Sequence, residues 1–227
     1  MIRPPLDLSL YLVTDTALCG EYGVAATVAA AVRGGVSAVQ LRDPHASDDD
    51  LVALGRSVAE ALTGTGVPLL VNDRVHLVEA IGAQGAHVGQ SDLSFVEARA
   101  MLGNDAHLGV SVQTLEHIID ARRHPVGVLD YLGVGPVWAQ TTKPDAAAPG
   151  GLEQLRLLVV ASPWPCVAIG GIGAEQARLV RAEGAAGVAV VSAICGRPDP
   201  EAAARDIRAA WNRAMTNRPE NAATVRP

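Results

Sequence analysis

Short β-prone runs recur along this chain with room for one helix between each pair, and that alternation restricts the fold more than any single motif. Runs rich in Val, Leu, Ile and Ala fall at residues 8–14, 38–42, 67–72, 85–89, 107–111, 129–133, 166–170 and 187–191. Between them, apolar residues recur at helical spacing over 24–33, 48–62, 75–81, 94–102, 114–123, 152–161 and 174–182, with a last helix at 206–214. Strands that alternate with helices pair in parallel, because a parallel connection needs a crossover. The runs at 67–71 and 166–169 lack polar alternation, as strands covered on both faces do. Eight such units predict an α/β chain folded as one closed (β/α)8 TIM barrel over residues 1–215. The alternative is an open doubly wound sheet, but no G-x-G-x-x-G opens a helix after the first strand. Residues 216–227, rich in small residues, Asn and Pro, read as a flexible C-terminal tail.

Local signals support the helices. Ser47 ahead of Asp48, Asp49 and Asp50 places a cap and negative charge at a helix start, where the dipole favours both. Ser91 and Asp92 precede another helix. Gly34, Gly103 and Gly184 stand where helices stop. Aromatics make up only 3% of the 227 residues against 49% apolar, so the core is aliphatic.

The net charge of −6 opposes non-specific nucleic-acid binding, which needs a cationic surface. A small anion remains acceptable where arginines and amide groups converge. Cys19, Cys166 and Cys195 cannot all pair and show no zinc spacing; buried free thiols are expected. No apolar stretch reaches membrane-spanning length and no signal peptide opens the chain, so a cytoplasmic protein is expected.

In such barrels the reactive groups lie at the C-terminal ends of the strands and in the loops beyond. Gln40 and Arg42 are two apart and share a face, so both can enter the barrel mouth and meet an anion, unless they pair with each other or with carboxylates. Asp73 and Asp92 follow neighbouring strands three and four and suit a shared Mg²⁺. The competing readings are an ion pair of Asp73 with Arg74 and a helix cap for Asp92. Ser111 ends strand five as a ligand partner or a cap. His87 reads as a satisfied barrel histidine, and the remaining histidines form no pattern. Gly170 and Gly171 end strand seven and Ser192 follows strand eight, where barrels often bind phosphate. Lys143 is the only lysine among 18 strongly basic residues. It sits in the polar run after strand six, beside Thr141 and Thr142. A compact cation there suits an oxygen that gains charge during reaction. No nucleophile with an attendant base is evident.

Eight segments carry a family likeness in order: 10–15 (LYLVTD), 40–43 (QLRD), 71–74 (VNDR), 87–92 (HVGQSD), 109–111 (GVS), 133–136 (GVGP), 141–144 (TTKP) and 168–172 (AIGGI). Together they resemble the thiamine-phosphate synthases over roughly residues 9–195. The resemblance implies an enzyme, a transferase in which the nitrogen of a thiazole phosphate is alkylated by an aminopyrimidine methyl diphosphate. The products are thiamine phosphate and diphosphate, and Mg²⁺ is the cofactor. By the same likeness Gln40, Arg42, Asn72, Ser111 and Lys143 hold the pyrimidine diphosphate, and Leu41, Asp43 and Pro44 count among the substrate-binding residues. Lys143, Ser111 and Arg42 are its catalytic residues. Asp73 and Asp92 hold the metal, and Gln140, Thr141, Thr142, Gly171, Val191 and Ser192 hold the thiazole phosphate. Departure of diphosphate to leave a pyrimidine-stabilised carbocation accounts for the missing nucleophile. Two positions depart from the pattern: Pro44 stands where the family has lysine, and Gln113 where it often has histidine. A thiazole tautomerase-like isomerase and a non-catalytic binding protein for thiamine precursors are the alternatives. Expected partners are the two small-molecule substrates, with no nucleic acid, no membrane and a homo-oligomer left open.

Overall fold

The computed structural model describes residues 3–142 and 147–216. Its strands are β1 (Leu10–Val13), β2 (Ala38–Leu41), β3 (Leu69–Asn72), β4 (Gly85–Val88), β5 (His107–Val112), β6 (Tyr131–Val134), β7 (Cys166–Ile169) and β8 (Gly187–Val190). All pair in parallel in sequence order, and β8 pairs back onto β1 to close the barrel. The helices are α1 (Thr16–Cys19), α2 (Val24–Arg33), α3 (Asp48–Ala61), α4 (Val78–Ile81), α5 (Phe95–Leu102), α6 (Leu115–Ala121), α7 (Gly151–Ala161), α8 (Ala174–Ala182) and α9 (Pro200–Thr216). Among the described residues no helix is long and apolar enough to cross a membrane.

Four local expectations need correction. The segment at 75–81 is not one helix but a 3-10 turn, Val75–Leu77, running into the single turn of α4. The space before Gly82, which stops the turn in the left-handed region, is too short for more. Helix α1 was not expected; Asp15 caps it by accepting from the Leu18 N–H. The cap of α5 is Ser94, in a reciprocal capping box with Glu97, rather than Ser91 or Asp92. The last helix starts at Pro200, six residues before residue 206, with Asp199 accepting from the Ala202 N–H at 2.9 Å. An Asp–Pro pair is a readable helix start, because proline loses nothing at the first helical position. The proposed tail falls on residues 217–227, outside those described, apart from Thr216, which ends α9.

Side chains alternate across each strand. Leu10, Leu12, Val39, Leu41 and Val71 fill the layer between strands and helices. Tyr11, Val13, Ala38, Leu70, Tyr131, Val167 and Ala189 fill the barrel interior. The interior accepts large rings because glycines face them. A Cβ on Gly109 would lie 2.1 Å from the Tyr131 ring, and one on Gly133 would lie 2.9 Å from His87 Cε1. All three cysteines are free and buried.

Candidate functional site

Strand β2 delivers Gln40 into the barrel interior, where its Nε2 donates to Tyr11 Oη at 3.0 Å. The pairing of Gln40 with Arg42 considered above therefore does not form. Arg42 is anchored through its backbone: its N–H donates to Thr14 Oγ1 at 2.9 Å. Its half-buried guanidinium has no hydrogen-bond or ion-pair partner among the described residues. Leu41 packs its side chain against the helical layer, so only its backbone borders the mouth. Asp43 shapes the turn beyond by accepting from the His45 and Ala46 N–H groups at 3.0 and 3.1 Å. Burial acts to raise its pKa, but the Thr16 hydroxyl and those two amides outweigh it, and the carboxyl lies below its ordinary range. Pro44 is exposed.

Strand β3 ends in Asn72, whose Nδ2 donates to Asp73 Oδ2 at 2.6 Å. Among the described residues Asp73 is the only non-glycine with positive φ, at 59°. Its N–H donates to His87 O on the neighbouring strand at 2.8 Å. Arg74 turns away to Ala46 O at 2.6 Å and Asp48 Oδ1 at 3.2 Å, so the alternative of an Asp73–Arg74 ion pair is not formed. After β4, exposed Asp92 folds its Oδ2 back onto the Gly89 N–H at 2.9 Å. The two carboxylates thus follow neighbouring strands, as their positions in sequence required. Among the described residues no cluster of three or more His, Cys, Asp or Glu side chains forms.

Ser111 on β5 faces inward, with its Oγ 2.9 Å from His87 Nε2. His87 Nδ1 lies 2.9 Å from Tyr131 Oη, and Tyr131 Oη lies 2.9 Å from Tyr11 Oη. His87 is therefore a satisfied barrel histidine, as expected. Sequence reasoning missed that it joins Ser111 to Gln40 through two tyrosines. Period-two alternation places each residue on the inner face but does not say which strand lies opposite.

Across the mouth, the chain leaving β6 continues along β7: the Val137 N–H donates to Ile169 O at 2.9 Å, and the Trp138 N–H to Gly170 O at 3.1 Å. This lays Ala139 over the end of β7. Gly170 and Gly171 have φ of 103° and 64°. A Cβ on Gly171 would meet Ala139 O and Trp138 Cβ, both at 2.7 Å. Only glycine combines this backbone with so close an approach. Next along, half-buried Thr142 donates its hydroxyl to Gln140 Oε1 at 2.9 Å, and Thr141 is exposed. Lys143 lies outside the described residues. On the adjoining strand end, Val191 packs on the barrel interior and Ser192 is exposed.

The open end of the barrel thus gathers amide, hydroxyl and guanidinium groups on one side and a glycine-built turn on the other. Such groups can donate hydrogen bonds and positive charge to an anionic oxygen. The family model for thiamine monophosphate synthase matches residues 10–194. The thiamine-phosphate synthase of Psychrobacter sp. is 51% identical over 87% of this chain and 92% of its own length. That of Azorhizobium caulinodans is 47% identical over 90% of this chain and 95% of its own. Among solved structures, thiamine phosphate pyrophosphorylase from Pyrococcus furiosus superimposes with a TM-score of 0.81 at 32% identity, covering 92% of this chain and 98% of that one. Its barrel, its strand-end groups and these relatives along nearly its whole length make the chain a member of the thiamine monophosphate synthase family.

Proposed function

We propose that this barrel joins an aminopyrimidine methyl diphosphate to a thiazole phosphate, giving thiamine phosphate and diphosphate. The C–O bond to the diphosphate breaks, the bonding electron pair leaves with the diphosphate oxygen, and the thiazole nitrogen forms the new C–N bond at the methylene carbon. One observation carries the reading: inward-facing Gln40 and Ser111 share a mouth with the Gly170–Gly171 turn. Catalysis then rests on positioning two substrates and on stabilising the leaving group.

In this reading Gln40, Asn72 and Ser111 orient the pyrimidine diphosphate, alongside Leu41, Asp43 and Pro44. Arg42 and Lys143 supply the charge against its phosphates. Arg42 suits the task because, among the described residues, no carboxylate pairs with its guanidinium. Gln140, Thr141, Thr142, Gly171, Val191 and Ser192 receive the thiazole phosphate, where Gly171 lets backbone approach an anion.

Asp73 and Asp92 would hold Mg²⁺. The donor set fits: both ligands are hard carboxylate oxygens, and Asp92 Oδ1 has no partner among the described residues. Magnesium commonly takes one or two carboxylates and completes its shell with water and phosphate oxygens. Bound there, it supplies positive charge beside the diphosphate.

Incubating the protein with both substrates and Mg²⁺ is expected to release diphosphate and thiamine phosphate in equal amounts. Isomerisation of the thiazole phosphate alone, with no diphosphate released from the pair, would establish the tautomerase-like alternative instead. Binding of either precursor without turnover would leave the non-catalytic alternative.

A further inference from the structure

Five side chains from five strands form an unbroken row inside the barrel: Gln40, Tyr11, Tyr131, His87 and Ser111. Only the two ends belong to the substrate site proposed above; the three middle members touch neither substrate in that reading. A row of hydrogen bonds has a direction, and its direction decides what each end offers a ligand.

Each phenol has one proton to donate. Gln40 Nε2 donates to Tyr11 Oη, and the remaining acceptor in contact with Tyr11 Oη is Tyr131 Oη. Tyr11 therefore donates to Tyr131. With the row running in that direction, Tyr131 gives its proton to His87 Nδ1 as acceptor. Neutral His87 then carries its proton on Nε2 and donates to Ser111 Oγ. The Ser111 hydroxyl proton is left to point at a ligand. At the other end, Gln40 Oε1 accepts from no group among the described residues. Burial pushes Tyr11 up to about 12 and Tyr131 well above the ordinary phenol value, so both protons are in place at neutral pH.

We propose that Tyr131 and His87 are positioning residues that set the polarity of the substrate pocket: Ser111 as a donor to a phosphate oxygen and Gln40 Oε1 as an acceptor for an amino group. These two polarities match an aminopyrimidine carrying a diphosphate. The reversed row would present a serine lone pair to the phosphate and an amide N–H₂ to the amino group, wrong at both ends. The row thus links recognition of the ring to recognition of its leaving group. This inference rests on the pyrimidine-diphosphate reading for the ligand, though the direction of the row does not.

The direction can be read in the ligand-free protein by nitrogen-15 correlation spectra of labelled histidine, with His87 assigned by its loss in His87→Gln. The wild type is expected to show His87 protonated at Nε2 and bare at Nδ1. Tyr131→Phe removes the donor to Nδ1 and is expected to give a mixture of tautomers. The same variant is expected to raise KM for the pyrimidine diphosphate roughly three- to tenfold, the worth of one ordinary hydrogen bond. KM for the thiazole phosphate is expected to stay unchanged, a split that general loosening of the barrel would not produce. His87 protonated at Nδ1 in the wild type would overturn the proposal, and that measurement needs no variant to fold. An unchanged KM for the pyrimidine diphosphate in folded Tyr131→Phe would also overturn it. The expected tautomer in a protein that releases no diphosphate would instead sink the reaction assignment while leaving the direction of the row intact.

Discussion

Asp73 holds a backbone conformation that costs a side chain of its kind on the order of 1 kcal/mol. Aspartate and asparagine tolerate the left-handed region better than most residues. Asp73→Asn should therefore fold, yet lose the charge that a metal needs. It is expected to raise the Mg²⁺ concentration for half-maximal turnover; an unchanged Mg²⁺ dependence would remove Asp73 from the proposed metal site. Gly171 is constrained twice over, by φ and by Trp138 and Ala139 lying against it. Gly171→Ala is expected to push that segment outward and raise KM for the thiazole phosphate more than for the pyrimidine diphosphate. Equal KM values for wild type and variant would disconnect the turn from phosphate. Lys143 stands out by its rarity, by its place beside Thr141 and Thr142 after strand six, and by the TTKP segment. Loss of a preorganised donor to developing charge typically lowers kcat by ~10²–10³, and Lys143→Ala is expected to do so. Lys143→Arg should recover only part, since reach and donor geometry change. Single-turnover rates decide it, because slow product release hides a chemical defect.

At the scale of elements, the end of the barrel opposite the site is tied by Asp130, just before β6. Its carboxylate accepts from Arg3 Nε at 2.7 Å, Arg99 at 3.0 Å and the Leu108 N–H at 2.8 Å. Arg99, largely buried on α5, also reaches Val128 O, Gly103 O and Ala106 O at 2.9, 2.8 and 2.6 Å. One side chain thus pins α5 to the starts of β5 and β6. Burial acts to raise the Asp130 pKa, but contact with His107, the Leu108 amide and Arg3 prevails and holds it below the ordinary value. A carboxyl depressed in the folded state stabilises above its unfolded pKa of ~3.9, and the contribution fades as pH falls through the folded pKa. Removing one partner of a buried ion pair costs about 3–5 kcal/mol, so Asp130→Ala should markedly lower the urea midpoint at neutral pH. Its deficit relative to wild type should shrink in acid. A neutral-pH midpoint equal to wild type would show that the network carries no stability. Turnover per folded molecule should be preserved, because the proposed substrate site lies at the other mouth.

For the molecule as a whole, two phenols sealed inside the barrel make an alkaline limit. Burial raises both Tyr11 and Tyr131, so these groups keep their protons in the folded state where the unfolded chain would lose them. Their contribution is whole below the unfolded value of ~10 and is lost as pH climbs through the folded values. The denaturant midpoint should therefore fall from ~pH 10 towards ~pH 12, and less so in Tyr11→Phe measured against its own value at the lower pH. A slope unchanged by that substitution would show that Tyr11 does not set the limit.

The eight-fold alternation was legible because strand and helix periods are local properties, and because a parallel pair cannot close without a crossover. The same locality placed Gln40, Asn72, Ser111 and Ser192 at strand ends, since in a barrel the end of a strand is a position along the chain. Asp199–Pro200 shows that even a missed helix start was written locally. What the chain did not disclose was which side chains meet across the barrel. Tyr11 and Tyr131 are 120 residues apart in sequence and 2.9 Å apart in space, brought together only when β8 pairs with β1 and the sheet closes on itself. The pairing of β2 with β1 decided that Gln40 answers to Tyr11 rather than to Arg42, because a polar group on the crowded inner face must find its partner on another strand.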